Sequence, residues 1–140
     1  MTRVVIGVGN PFRCDDAAGL EVARRLQLVP AHESSLGGFE LMDLWQEADE
    51  VIIVDATQSG APPGTIRRFD PLAQPLPSGA FASSHTIGVV ETIEMARQLG
   101  RLPGSMAVYG IEAESVTTGT TISAPVAAAI EKLAAEIDHA

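Results

Sequence analysis

Three short stretches of the chain carry side chains that could do chemistry. In GVGNPFRCDDAAGLEVARRL (7–26) a glycine turn leads to two adjacent carboxylates, Asp15 and Asp16. The most apolar run, VIIVD (51–55), ends in Asp55, and SSHTIGV (83–89) holds His85. Two carboxylate oxygens and one neutral imidazole nitrogen form a facial set for a divalent transition metal, with coordination positions left open. Zinc, nickel, manganese and iron all accept such ligation. Each residue also has a plainer role. Aspartates at a helix start cap backbone amides and complement the helix dipole, for about 0.3–2 kcal/mol. Asp55 caps a turn in the plainer reading, and a lone histidine at an element junction is structural. One cap needs only one aspartate, however, and the second asks for another explanation. The expectation is that Asp16, Asp55 and His85 converge on one metal. Cys14 is a small buried thiol or a soft fourth ligand. Glu112 sits at the rim of the site or is an exposed loop acid.

These residues meet only if the fold gathers them. Arg3–Val8 is an apolar, β-branched run bounded by Gly9 and reads as a buried strand. From Asp16 the pattern turns helical, with Leu20, Ala23 and Leu26 three apart. LVPAHE (28–33) holds a short second strand, and Phe39, Met42 and Trp45 mark a short helix. VIIVD is the clearest buried strand, TIRRF (65–69) an edge strand, and MAVYGI (106–111) another strand. A helix begins near Ser84, capped by Ser83 or Ser84, with Ile87, Val90 and Ile93 on one face and His85 in its first turn. The positive end of the dipole there disfavours imidazolium, which leaves the neutral ring that a metal needs. The last helix starts at a cap, Ser123, with Pro125 in its first turn. Strands alternating with helices predict an α/β fold, a mostly parallel sheet with helices on both faces. In such sheets ligands bind at the carboxyl ends of the strands.

Composition removes several classes. The 140 residues suffice for one domain, 1–140, and 46% are hydrophobic, enough for a proper core. A net charge of −9 argues against nucleic-acid and anionic-membrane partners, which need Lys/Arg patches. No run of apolar residues is long enough to span a membrane. The start, MTRVVIGVG, lacks the regions of a signal peptide, and a single Cys14 excludes an internal disulfide, so a cytoplasmic setting is expected. The glycine turn is no dinucleotide fingerprint, because Phe12 stands where the third glycine belongs and Asp15 and Asp16 would confront the pyrophosphate. No Lys-Ser or Lys-Thr follows the glycines, and neither G-x-S-x-G nor H-E-x-x-H occurs.

Four blocks together resemble one family. GVGNPFRCDDAAGLEVARRL, VIIVDATQSGAPPGT, SSHTIGV and YGIEAESVTTGTTISAPV resemble, in order and over nearly the whole chain, the signature blocks of the [NiFe]-hydrogenase maturation endopeptidases. The resemblance implies a three-layer α/β/α sandwich with a mostly parallel central sheet. It implies a peptidase that removes the carboxy-terminal extension of the hydrogenase large-subunit precursor after the nickel-iron centre is loaded. It implies that the metal-contacting and catalytic residues fall on Asp16, Asp55 and His85, and that the nickel is borne by the substrate. Other divalent metals are possible at the same site. Two departures are visible. The first acidic ligand, commonly Glu in the family, is Asp16. The family's Asp-Gly-Gly-Thr segment appears as ESSLGG (33–38), with Glu33 in place of its acid. Glu33 and Asp15 are candidate general bases. The competing reading is a non-catalytic metal- or hydrogenase-binding maturation module of the same fold.

Overall fold

The computed structural model of the chain describes residues 2–82 and 87–140. Five strands form one sheet in the order β2-β1-β3-β5-β4. They are β1 (Arg3–Val8), β2 (Ala31–Ser34), β3 (Glu50–Thr57), β4 (Ile66–Phe69) and β5 (Ser105–Glu112). The first three and β5 run parallel, and β4 lies antiparallel on the edge beside β5. The expected edge strand and the short second strand are therefore both present.

The alternation along the strands assigns the two faces. Val4, Ile6, Val8, Val51, Ile53, Met106 and Val108 point to one side. There they pack under α2 (Phe39–Trp45) and α3 (Val89–Leu99). Val5, Ile52, Val54 and Ile111 point to the other, under α1 (Ala18–Arg25) and α4 (Ala124–Asp138). With both faces covered, the parallel strands read as continuous apolar runs. The result is a three-layer α/β/α sandwich. No described helix is long and apolar enough to cross a membrane.

Two elements differ from the sequence expectation. The helix expected near Ser84 begins at Val89, with Gly88 as its N-cap residue. Its buried stripe is Val89, Thr92, Ile93 and Ala96, while Ile87 precedes the helix and is exposed. Apolar residues three apart exist here in two registers, and the count alone does not choose between them. The chosen one is fixed from outside. The Gly38 N–H donates to the Thr92 hydroxyl at 2.7 Å, and that hydroxyl donates to the Gly88 carbonyl at 2.7 Å. The serine caps and the first-turn placement of His85 lie outside the described residues. In α2, Met42 and Trp45 are buried with Leu41, whereas Phe39 is exposed. The Trp45 indole N–H donates to the Arg101 carbonyl at 2.9 Å, at the amino-terminal edge of the sheet.

Candidate functional site

The strand order reverses at β1. The chain leaves β1 for β2 on one side, then returns through α2 to β3 on the other. Such a switch point opens a crevice at the carboxyl ends of the two strands. The register pairs Gly7 with Val54, so Asp55 lies one residue beyond the last pair, at the mouth of this crevice.

Asp16 reaches the same place by a different route. A short 3₁₀ turn, Cys14–Ala17, precedes α1 and packs against β3. Three glycines let the turn and the helix approach the strands. A Cβ at Gly9 would lie 2.1 Å from the Asp16 carbonyl oxygen. One at Gly7 would lie 2.1 Å from the Gly19 carbonyl oxygen, and one at Gly19 only 2.2 Å from that of Val54. No side chain fits at these positions without moving backbone.

Asp16 is 1% exposed and Asp55 3%. Burial foremost, and the Asp16 charge second, hold the Asp55 carboxyl well above the usual carboxylate range. The Ala56 N–H, donating to Asp55 Oδ1 at 2.8 Å, acts in the opposite sense. The structure thus places two of the three expected residues within electrostatic reach of one another. His85 lies outside the described residues. Among the described residues no group of three or more His, Cys, Asp and Glu side chains is arranged to hold a metal ion. Arg13, which sequence reasoning did not single out, places Nη1 at 3.4 Å from Asp16 Oδ2. Its spacing of three from Asp16 was the available signal.

The second aspartate has a separate task. Asp15, 1% exposed, accepts hydrogen bonds from the N–H groups of Glu114 (2.8 Å), Ser115 (3.4 Å) and Ser123 (2.8 Å) and from the Ser123 hydroxyl (2.8 Å). It does not cap its own turn or α1, neither of which has a side-chain cap bond. Ser123 is the N-cap residue of α4, as expected, but its hydroxyl serves Asp15 instead of its own helix. These four bonds occupy the Asp15 oxygens, which leaves it poorly placed as a general base. Glu112, expected at the rim or exposed in a loop, is buried. It accepts from the Thr57 hydroxyl (2.9 Å), the Ser59 hydroxyl (2.7 Å) and the Ser59 N–H (2.9 Å). Glu33 pairs with Arg24 at 2.8 Å. The two line a groove of about 420 Å³ with Asn10, Pro11, Phe12 and Leu20. Cys14 is half-buried and adopts a positive φ of 47°.

The family model described as HycI, hydrogenase maturation protease, matches residues 33–140. The hydrogenase expression/formation protein HupD of Thiocapsa roseopersicina is 29% identical over 117 residues, 78% of this chain and 53% of that protein. The chain thus spans about half the length of this curated relative. The hydrogenase maturating endopeptidase HybD of Escherichia coli superposes with a TM-score of 0.83 at 26% identity, covering 98% of this chain and 90% of that one. The [NiFe] hydrogenase maturation protease HybD of Thermococcus kodakarensis gives 0.77 at 25% identity, covering 99% and 97%. A family model matching residues 33–140 and a shared fold over nearly the whole chain agree: the chain belongs to the hydrogenase maturation protease family.

Proposed function

We propose that the protein is an endopeptidase that removes the carboxy-terminal extension of a nickel-loaded [NiFe]-hydrogenase large-subunit precursor. The observation that carries this reading is the buried Asp16–Asp55 pair at the carboxyl edge of the sheet. Two carboxylates buried side by side oppose one another's ionisation. A divalent cation between them reverses that, because both charged forms then gain a partner. In this reading Asp16, Asp55 and His85 contact nickel that the precursor brings. The ion bridges the two proteins, docks the precursor and holds the scissile bond in register, the orientation contribution to catalysis. Held there, the ion would also polarise the carbonyl or activate water. An unloaded precursor lacks the bridge and is spared.

Two measurements test the proposal. Nickel-loaded precursor should be processed and nickel-free precursor should not, and equal cleavage of both would refute nickel gating. His85→Ala should abolish processing with the far-UV spectrum and melting temperature retained. Normal processing by that variant would remove His85 from the site. Stable capture of loaded precursor without cleavage would instead support the non-catalytic binding module.

A further inference from the structure

Of the four buried acids among the described residues, only Asp16 and Asp55 belong to the proposed cation site. Asp15 and Glu112 are as deeply buried, and neither is used by that reading. Their hydrogen bonds show what they do. Every donor to Asp15 comes from Glu114, Ser115 or Ser123, in the segment that leaves β5 and enters α4. The backbone repeats the connection. Cys14 N–H donates to the Gly119 carbonyl at 2.9 Å, Asp15 N–H to that of Ser115 at 3.0 Å, and Gly119 N–H to that of Phe12 at 2.8 Å. The turn that carries Asp16 is therefore suspended on both sides from residues 114–123.

Glu112 makes the matching connection at the other carboxylate. It is the last residue of β5 and holds Thr57 and Ser59, the residues that follow Asp55 out of β3. The Gly64 N–H donates to the Glu112 carbonyl at 2.8 Å, which fixes the far end of the same loop. One stretch of chain, 112–123, thus grips the Asp16 turn through Asp15 and the Asp55 exit through Glu112.

We infer that Asp15 and Glu112 are positioning residues, and that the 112–123 segment is a brace that sets the spacing of Asp16 and Asp55 for a divalent cation. The inference rests on the proposed cation site. Buried carboxylates near one another drive themselves apart. A ligand pair of fixed spacing needs its backbone held from elsewhere, and loop termini alone supply little stiffness.

The probe is a divalent cation alone, nickel or cadmium, titrated by calorimetry into the free protein, with thermal unfolding measured in parallel. Asp15→Asn and Glu112→Gln keep the shape but turn an amide N–H₂ toward existing donors. Each should weaken cation binding at least tenfold. Trp45→Phe is the control. It loses the indole bond to Arg101 at the opposite edge of the sheet, and should lower the melting temperature with affinity unchanged within twofold. Should the first two variants fold poorly, Ser123→Ala and Ser59→Ala each remove one hydroxyl donor from the brace. These should weaken binding two- to fivefold at near-normal stability. Wild-type affinity in the brace variants would overturn the inference and leave the cation site standing. Loss of affinity in proportion to stability, the Trp45→Phe control included, would also overturn it. A wild-type protein that binds neither cation would overturn the inference, because a brace set for a cation must let the free protein hold one, whereas the cation site proposed for the precursor's nickel is decided separately by the processing of loaded and nickel-free precursor.

Discussion

Gly19 sets two physical effects against each other. It sits in the first turn of α1, where replacing glycine by alanine gains about 1 kcal/mol of helix propensity. Propensity alone therefore predicts that Gly19→Ala stabilises the protein. Sterics predict the opposite. The new Cβ would lie 2.2 Å from the Val54 carbonyl oxygen and 2.5 Å from that of Val8. Non-bonded heavy atoms rest at about 3.5 Å, so the helix would have to lift by roughly 1 Å. The obstacles are backbone atoms of two central strands, and neither can give way as a side-chain tip can. Lifting α1 also loosens Ala18 and Val22, both fully buried, from the apolar face of the sheet. Overpacking of this kind costs about 1–3 kcal/mol or more, and the loosened contacts add to it. The clash wins, with a net loss of about 2–4 kcal/mol, or roughly 10 °C in melting temperature for a chain of this size. Because Asp16 lies three residues before Gly19, cation binding should fall with it. Thermal unfolding followed by circular dichroism is the assay. A melting temperature equal to or above the wild type would refute the close-approach argument and leave propensity as the controlling effect.

Other perturbations follow from the same structure. Burial and Asp16 raise the folded-state pKa of Asp55 above its ordinary value of 3.8, so its contribution to stability is present below that value and is lost as pH rises through the raised one. Asp55→Asn should accordingly raise the melting temperature at pH 7, with the advantage shrinking toward zero near pH 3. An advantage that is constant across that window would mean Asp55 does not titrate there. Gly9→Ala drives a Cβ into the Asp16 carbonyl at 2.1 Å and should remove cation binding and processing together. Retained binding in a folded variant would show that the turn can shift harmlessly. Glu131→Ala breaks an ion pair with Arg25 at 2.7 Å whose side chains are 39% and 70% exposed. It should cost less than about 1 kcal/mol in urea unfolding, and less still in high salt.

The fold was legible in the sequence wherever pattern and burial coincide. β1, β3 and β5 are apolar runs because both faces of the parallel sheet are covered, and α4 shows its stripe because Val126, Ile130, Leu133 and Ile137 all meet the core. The α3 start was not legible. Its register depends on a hydroxyl that binds Gly38, 54 residues away, and no local spacing reports that. Phe39 misled for a related reason: it opens α2 at the periodic position but stands beyond the edge of the layer it was expected to enter. In the site, Asp55 stood out as the acid at the end of the most apolar run, although β3 continues past it to Thr57, and Asp16 as the acid before the first helix; both lie toward the carboxyl edge, where α/β sheets present functional groups. Arg13 went unnoticed because a lone arginine beside a turn is common and its reach to Asp16 needs the 3₁₀ geometry.

The pair Asp15–Asp16 shows most clearly where sequence reading ends. The two residues are chemically identical, adjacent and equally buried. What separates them is the origin of their partners. Asp15 meets donors 99, 100 and 108 positions later in the chain, which the β5–α4 connection brings over the turn. Hydrogen bonds to a charged group contribute about 1.5–3 kcal/mol each, enough to hold a buried carboxylate in place for structure alone. Asp16, next to it in the same turn, lies near enough to Asp55 that its charge, after burial, makes ionising that neighbour harder. A fold under selection for stability alone has no reason to keep the second arrangement, since an apolar pair of similar volume avoids the cost. The first arrangement stabilises the turn, and the second uses that stability to hold an acid whose ionisation burial and a neighbouring carboxylate oppose.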